Sequence, residues 1–292
     1  MRISASRPVM KRDHGHPGRP MRNRQCVIGP DLSAVAAVLL AVIAGTPAAA
    51  ADPNALWHVV HDLCVTDMEA SGAPAPCAAV DLAGGYALLK DLRGATQLLL
   101  VPTERISGIE SPRLLEPDGP NYWRAAWEAR PLFEKRAGRP VPRDDIGLAI
   151  NSIYGRSQNQ LHIHIDCVRP DVRQTLQVDE TEIGPQWSSL SVKLSGHAYR
   201  ARRIEGADLG ARDPFKLLAD SDPRARADMG SQTLALIGAT FADGRPGFIL
   251  LTDRADPASG DRGAGEELLD HDCAVLADPP SAPRSNSGEA PR

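Results

Sequence analysis

Residues Gly155–Cys167 read GRSQNQLHIHIDC, and the layout of this stretch decides both the fold and the chemistry of the chain. On a strand, side chains two apart share a face. Leu161, Ile163 and Ile165 then form an apolar row, with Gln160, His162 and His164 as a polar row on the opposite side. Packing alone gives a half-buried strand no reason to place two imidazoles side by side. Neighbouring imidazoles can serve as metal ligands, or as a nucleophile beside a proton-handling partner. A purely structural pair is the third reading, and HxH by itself leaves all three open.

Outward from this segment the pattern is mixed. Ile146–Ser152 and Gln160–Val168 alternate as adjacent strands across the polar loop IYGRSQN. Upstream, AAVDLAGGYALLKDL and ATQLLLVPTERI flank Arg93-Gly94, a hairpin signature. Leu56–Val65 carries apolar residues at helical spacing, and Asn121–Lys135 predicts a longer helix with Trp123, Ala126 and Trp127 on one face. Ser107–Glu116 reads as a short helix or loop. Ser188–Leu194, Gln232–Thr240 and Gly247–Thr252 are further strand candidates. Asp253–Gly265 and Pro279–Arg292 are rich in Pro, Gly, Ser and charge and read as mobile. With no internal repeat, the class is α+β with antiparallel pairing.

The chain has 292 residues, enough for one large domain or two small ones, and 33 basic against 37 acidic side chains give a net charge of −4. That balance offers no footprint for a phosphate backbone, and aromatics at 4% offer no base-stacking platform, which argues against a nucleic-acid partner. Before the globule, the basic stretch Met1–Pro30 leads into the uncharged run LSAVAAVLLAVIAG at Leu32–Gly45 and then small residues, the pattern of an export signal. Counted on to Ala51, the uncharged run reaches about 20 residues, so a retained anchor is the competing reading. Either way the remainder faces an oxidising compartment. Setting Cys26 aside leaves Cys64, Cys77, Cys167 and Cys273. The short SGAPAP loop favours Cys64 with Cys77, leaving Cys167 with Cys273; without CxxC spacing, a zinc site is disfavoured.

The Gly155 segment resembles the histidine triad superfamily. That motif has a Gly, a Ser or Thr two residues later, and His-φ-His-φ-His with its middle His five residues after the Ser or Thr. Counting from Ser157 makes His162 the middle residue, with Gly155 and His164 matching and Gln160 in place of the first His. An alternative register centred on His164, with Asp166 third, loses the Gly155 and Ser157 matches. YALLKDL and TQLLLVPTERISGI look like the superfamily's aspartate-ended strand and the strand after it, although Thr103 and Arg105 replace its usual basic residue and His. More narrowly, LWxVVxxxC, PAPCxxVD, SQNQLHIHIDCVRPDV, MGSQTLALIGA and GFILLTD resemble the bacterial CDP-diacylglycerol pyrophosphatase family. The superfamily likeness covers about Leu56 to Asp171, and the narrower one extends to about Thr252.

The resemblance implies a histidine-triad-like antiparallel sheet with flanking helices and a C-terminal β-rich extension. Its segments would be 1–51 as signal peptide or membrane anchor, 52–172 as catalytic core, 173–275 as extension packed on the core, and 276–292 as disordered tail. It also implies hydrolysis of CDP-diacylglycerol to CMP and phosphatidate, at the membrane surface on the periplasmic face of the inner membrane; pairing into a homodimer is left open. His162 is the expected nucleophile, with His164 beside it. Ser157, Gln160, His164 and backbone amides of the Gly155 loop are the expected donors to phosphoryl oxygens. Asp91 would receive the ribose hydroxyls by analogy, and Asn151 sits where the fold places a loop Asn. Such a mechanism requires no metal or cofactor. Two other classes stand beside it: a secreted metal-dependent phosphoesterase using the HxH pair, and a non-catalytic nucleotide- or lipid-binding protein of the envelope. Ser157, Asn159, Asn151 and Asp91 also have bland readings as turn formers. His58, His61, His197 and His271 read as ordinary surface or structural residues. Arg200, Arg202 and Arg203 read as a solvated strand edge or a contact for anionic head groups.

Overall fold

A computed structural model describes residues 52–277; the segment expected as signal or anchor, 1–51, and the part of the expected tail beyond Ala277 lie outside the described residues. The strands are β1 (Ala79–Asp81), β2 (Tyr86–Lys90), β3 (Leu98–Pro102), β4 (Ile146–Ile150), β5 (Ile163–Val168), β6 (Ser188–Ser189), β7 (Arg200–Glu205), β8 (Gln232–Thr240), β9 (Pro246–Arg254) and β10 (Leu269–Asp270). They form one sheet in the order β1-β2-β3-β5-β4-β8-β9-β7-β6, with β10 on β5, and every pairing is antiparallel. The architecture is therefore α+β, and the C-terminal strands extend the same sheet beyond β4. The helices are α1 (Ala55–His58), α2 (Thr66–Ser71), α3 (Tyr122–Glu128), α4 (Arg130–Ala137), α5 (Pro170–Val178), α6 (Pro214–Ser221) and α7 (Pro223–Ala227), with a π-helical turn at Val59–Val65 joining the first two.

The period of two sorts each strand between two cores. Ile163, Ile165 and Cys167 of β5, Leu148 of β4, Leu236 of β8 and Leu250 of β9 face a core that includes Trp123, Trp127, Phe133 and Phe215 from the helices. Trp123 meets the edge of Phe215 at 5.5 Å and Trp127 that of Phe248 at 4.7 Å, so truncating either Trp to Ala should cost about 3–5 kcal/mol. The other face has a divided cover. Val60 and Cys64 pack over Ala87, Leu99 and Val101, while Val172, Leu176 and Leu268 pack over Ala149, Ala235 and Leu251. Between these two patches, over β5, the sheet is open.

Several sequence expectations shift here for physical reasons. The single helix over Asn121–Lys135 is two, because Pro131 lacks an N–H and its ring clashes with the preceding turn; Asn121 caps the first by accepting from the Arg124 amide at 3.0 Å. Ser188–Leu194 reduces to the two-residue β6, and the unforeseen neighbour is β7, whose arginines mask its alternation. Arg200, Arg202 and Arg203 are therefore not on a free edge: Arg200 pairs with Asp222 at 2.7 Å and Arg203 lies over Phe241. Asp253–Gly265 is an ordered part of the fold, with an Asp256–Asp261 bridge and a 3-10 turn at Gly265–Leu268. Both disulfides join the expected partners, Cys64 with Cys77 and Cys167 with Cys273. The second closes a loop of sequence separation 106, against 13 for the first, so it restrains the unfolded chain more.

Candidate active site

The opening over β5 is a cavity of about 690 Å³ with His162 and His164 at its floor. His162 immediately precedes β5 and His164 lies within it, so the two rings fall on the open face, 5.0 Å apart and 66° to one another. His162 Nδ1–H donates to the Gln160 carbonyl at 2.7 Å. A carbonyl can only accept, so this bond assigns the tautomer and leaves the Nε2 lone pair of this cavity-lining ring uncommitted. Burial, reinforced by His164, pulls the His162 pKa down to about 4. Burial likewise brings His164 down to about 4, with Asp91 working against it. Both rings are thus neutral at pH 7, and His162 offers an oriented, uncharged imidazole.

His164 is held from two sides. Gln97 Nε2 donates to its Nδ1 at 2.7 Å, which puts the ring proton on Nε2, 3.2 Å from Glu266 Oε2. That approach is off-axis, and the nitrogen makes no well-aligned hydrogen bond. The N–H is therefore available to a ligand. Asp91, just past β2, lies 4.0 Å from His164 Nδ1 on the cavity wall. Its turn is closed by the Arg93 amide donating to Asp91 Oδ1 at 3.0 Å and by the Lys90 ammonium donating to the carbonyls of Asp91, Arg93 and Gly94. Arg93 remains on the wall as a cation. Asn151 Oδ1 accepts from the Glu266 amide at 3.1 Å, leaving its Nδ2 as a donor, and Ser157 completes this side.

The structure thus brings together Asp91, Asn151, Ser157, His162 and His164. Gln160, expected as a donor to substrate, does not line the cavity. Its Nε2 donates to the carbonyls of Pro102 and Glu104 at 3.0 and 2.9 Å, because regular β5 begins only at Ile163 and the alternation does not reach back to Gln160. The side chain fastens the lead into β5 to the end of β3. The Gly155 and Arg156 amides, also expected as donors, turn back to the Ser152 carbonyl. A side chain at Gly155 would meet the Gly263 carbonyl at 2.9 Å, so this glycine is needed for a close backbone approach. Asp166, third residue of the alternative register, accepts from Thr96 Oγ1 at 2.9 Å and from His271 Nδ1 at 2.8 Å, away from the cavity wall. His58 and His61 are exposed and both bond Asp62.

Glu266 and Gln97 are the residues that sequence reasoning missed. Glu266 directly follows the Asp253–Gly265 segment read as mobile, and Gln97 lies in the connection between β2 and β3. Their roles arise only where β3, β4 and the 3-10 turn meet around β5. Part of the lining is apolar, formed by Leu56, Val59, Leu89 and Leu99, the last paired with His164 across β3 and β5, and Leu92 is fully exposed. Among the described residues, no group of three His, Cys, Asp or Glu ligand atoms within 4.8 Å of one another includes His162 or His164. The site therefore presents a neutral imidazole, a donor N–H, a carboxylate beside it and a cation, with apolar side chains in the same lining. This is a setting for displacement at phosphorus with an amphipathic substrate.

Comparison with known proteins agrees with that chemistry. The family model described as CDP-diacylglycerol pyrophosphatase matches residues 51–277. A CDP-diacylglycerol pyrophosphatase of Yersinia pestis is 44% identical over 223 residues, covering 76% of this chain and 85% of the relative. Since the match takes in the whole described sheet, both disulfides and every residue of the cavity, the chain belongs to the CDP-diacylglycerol pyrophosphatase family.

Proposed function

We propose that the chain hydrolyses the pyrophosphate bond of CDP-diacylglycerol to CMP and phosphatidate through a cytidylyl-histidine on His162. The observation that carries this reading is the Nδ1–H bond from His162 to Gln160, which leaves the Nε2 of a neutral, cavity-lining ring uncommitted. Nε2 attacks the phosphorus on the cytidine side, and the bond from that phosphorus to the bridging oxygen breaks. Phosphatidate departs with the bridging oxygen and its electron pair. Water then attacks the phosphorus of the adduct, the P–N bond breaks, and CMP leaves with His162 neutral again; the water proton goes to Glu266 and on to solvent. The His164 N–H, Asn151 Nδ2 and Arg93 hold charge on the phosphoryl oxygens during both displacements. Asp91 receives the ribose hydroxyls.

The apolar part of the lining takes the glyceride end, and Leu92, 103% exposed beside Arg93, rests against the bilayer from which the substrate is drawn. No helix among the described residues is long and apolar enough to cross a membrane. Residues 1–51 would carry the protein to the periplasmic face of the inner membrane, as cleaved signal or retained anchor. Rapid acid-free quenching with cytidine-labelled CDP-diacylglycerol, followed by mass spectrometry, tests the reading directly. A CMP adduct on the His162 peptide is expected. An adduct on His164, or steady CMP release with no adduct under conditions that trap phosphoramidates, would overturn it.

A further inference from the structure

A second cluster of chemistry-bearing side chains lies under the segment that delivers Glu266. His197 comes from the turn after Leu194, Asp253 from the end of β9, and Asp261 from the Asp256–Asp261 bridge. One ligand atom from each lies within 4.8 Å of the other two. Asp253 is 8% exposed, and its Oδ2 is buried without a hydrogen-bond partner. Such an oxygen costs free energy unless something meets it. No Lys or Arg among the described residues forms an ion pair with Asp253 or Asp261, and the nearby guanidinium groups are engaged elsewhere. Arg254 pairs with Asp228 at 2.6 Å, and Arg262 donates to the Tyr154 carbonyl at 2.7 Å. The imidazole of His197 is oriented by Nδ1–H donation to Glu267 Oε1 at 2.8 Å, and that carboxylate also accepts from Tyr199 at 2.9 Å.

We propose that His197, Asp253 and Asp261 form a divalent-cation site, separate from the catalytic cavity, that clamps the 255–268 segment onto the sheet. One imidazole and two carboxylates are a mixed nitrogen and oxygen donor set, which suits Mn²⁺ or Zn²⁺ better than Ca²⁺ or Mg²⁺. The position matters for catalysis because Glu266 and Glu267 are consecutive in the 3-10 turn. One reaches His164 and the other His197, so a cation fixed at one end of this segment braces the carboxylate at the other.

The test uses full-length protein stripped with chelator and dialysed, then titrated with Mn²⁺ or Zn²⁺ alone. Binding of one ion per chain is expected, with a rise in Tm of several degrees. Asp253→Asn and Asp261→Asn should fold, with metal-free Tm values at or above that of the stripped wild type, because each removes a like-charge contact. Each should bind Mn²⁺ at least tenfold more weakly and lose the Tm shift. His162→Ala should keep both. In Mn²⁺-loaded wild type, electron–nuclear resonance should show a single imidazole nitrogen, absent in His197→Ala, a readout that stands even if an aspartate variant fails to fold. No ion bound, a shift retained in both aspartate variants, or a shift lost in His162→Ala would each overturn the proposal. None of these results depends on turnover, so the test is independent of the catalytic assignment.

Discussion

His162 and His197 each donate Nδ1–H to an oxygen, at 2.7 and 2.8 Å, yet their pKa values move in opposite directions. The acceptor for His162 is a backbone carbonyl, and burial with His164 beside it lowers the pKa to about 4. The acceptor for His197 is the Glu267 carboxylate; burial again favours the neutral ring, but the bond and charge of Glu267 outweigh it and the pKa rises. A carbonyl aligns a ring without strongly rewarding its positive charge. A carboxylate aligns it and rewards the charge. A nucleophilic imidazole needs orientation without protonation, and of the two rings only His162 has that combination.

The strongest way to break this contrast is to remove the aligned ring. His162→Ala should lower kcat/KM for CDP-diacylglycerol by about 10⁴-fold or more, with substrate affinity little changed, since on the proposed mechanism this ring carries the adduct. A loss under tenfold in a folded variant would mean that the neutral ring is not the nucleophile. Next in size, His164→Gln and Glu266→Gln should each cost about 10²–10³-fold in kcat, measured by CMP release, as expected when one donor or proton acceptor is lost from a preorganised site. If Glu266→Gln slows decay of the adduct more than its formation, the carboxylate serves the water step. Equal slowing of both steps would place it with His164 in charge stabilisation instead.

The sequence carried the local part of this site and little of the assembled part. Alternation in LHIHIDC put His164 and the isoleucines on opposite faces, and the resemblance to the histidine triad motif, counted from Ser157, pointed to His162; both draw on a dozen consecutive residues. The antiparallel α+β class followed from the short alternating runs, and the disulfide pairing from one short loop and the remaining pair. Gln160 was misread because period-two logic was carried three residues past the start of β5, where the chain still runs irregularly. Glu266 was invisible for a different reason. Its partner His164 is about a hundred residues away, and the polar, glycine-rich composition before it hides how Gly263 packs on Ser152 and Ala255. The strand β7 was lost because its buried Ala201 and Ile204 are outnumbered by arginines. Composition reports solvation well, but it does not report which distant backbone a segment lies against.

The two histidine environments also predict opposite pH dependence of stability. His162 has an ordinary unfolded pKa near 6.5 and a folded value of about 4, so between these the unfolded chain binds more protons. Stability is then lost as pH falls from about 6.5 toward 4, by on the order of 3 kcal/mol for this ring. His164, lowered likewise to about 4, adds a loss of the same sign. Urea denaturation at pH 7, 6, 5 and 4 should show the falling free energy, and His162→Phe, which fills the site without a titrating group, should flatten it. A slope unchanged in that variant would mean that acid lability arises elsewhere and that the ring is not held neutral by its surroundings. The acid limb of kcat/KM should lie correspondingly low, near pH 4, because only protonation of Nε2 silences the nucleophile.

The smallest effect concerns His197, where the sign reverses. Its folded pKa is raised, so the stability it contributes is complete below the unfolded value near 6.5 and disappears as pH rises through the folded value. Glu267→Gln keeps an oxygen acceptor for His197 and for the Tyr199 hydroxyl but removes the charge, leaving burial to act against Asp261, whose Oδ1 is 3.8 Å away. The His197 midpoint, followed by the ring proton resonances in the metal-free protein, should therefore move down, while that of His162 stays where it is. A midpoint that does not move would assign the raised pKa to Asp261 and Asp253 rather than to Glu267. The contrast between the two rings would then rest on distant charge, not on which kind of oxygen accepts the Nδ1 proton.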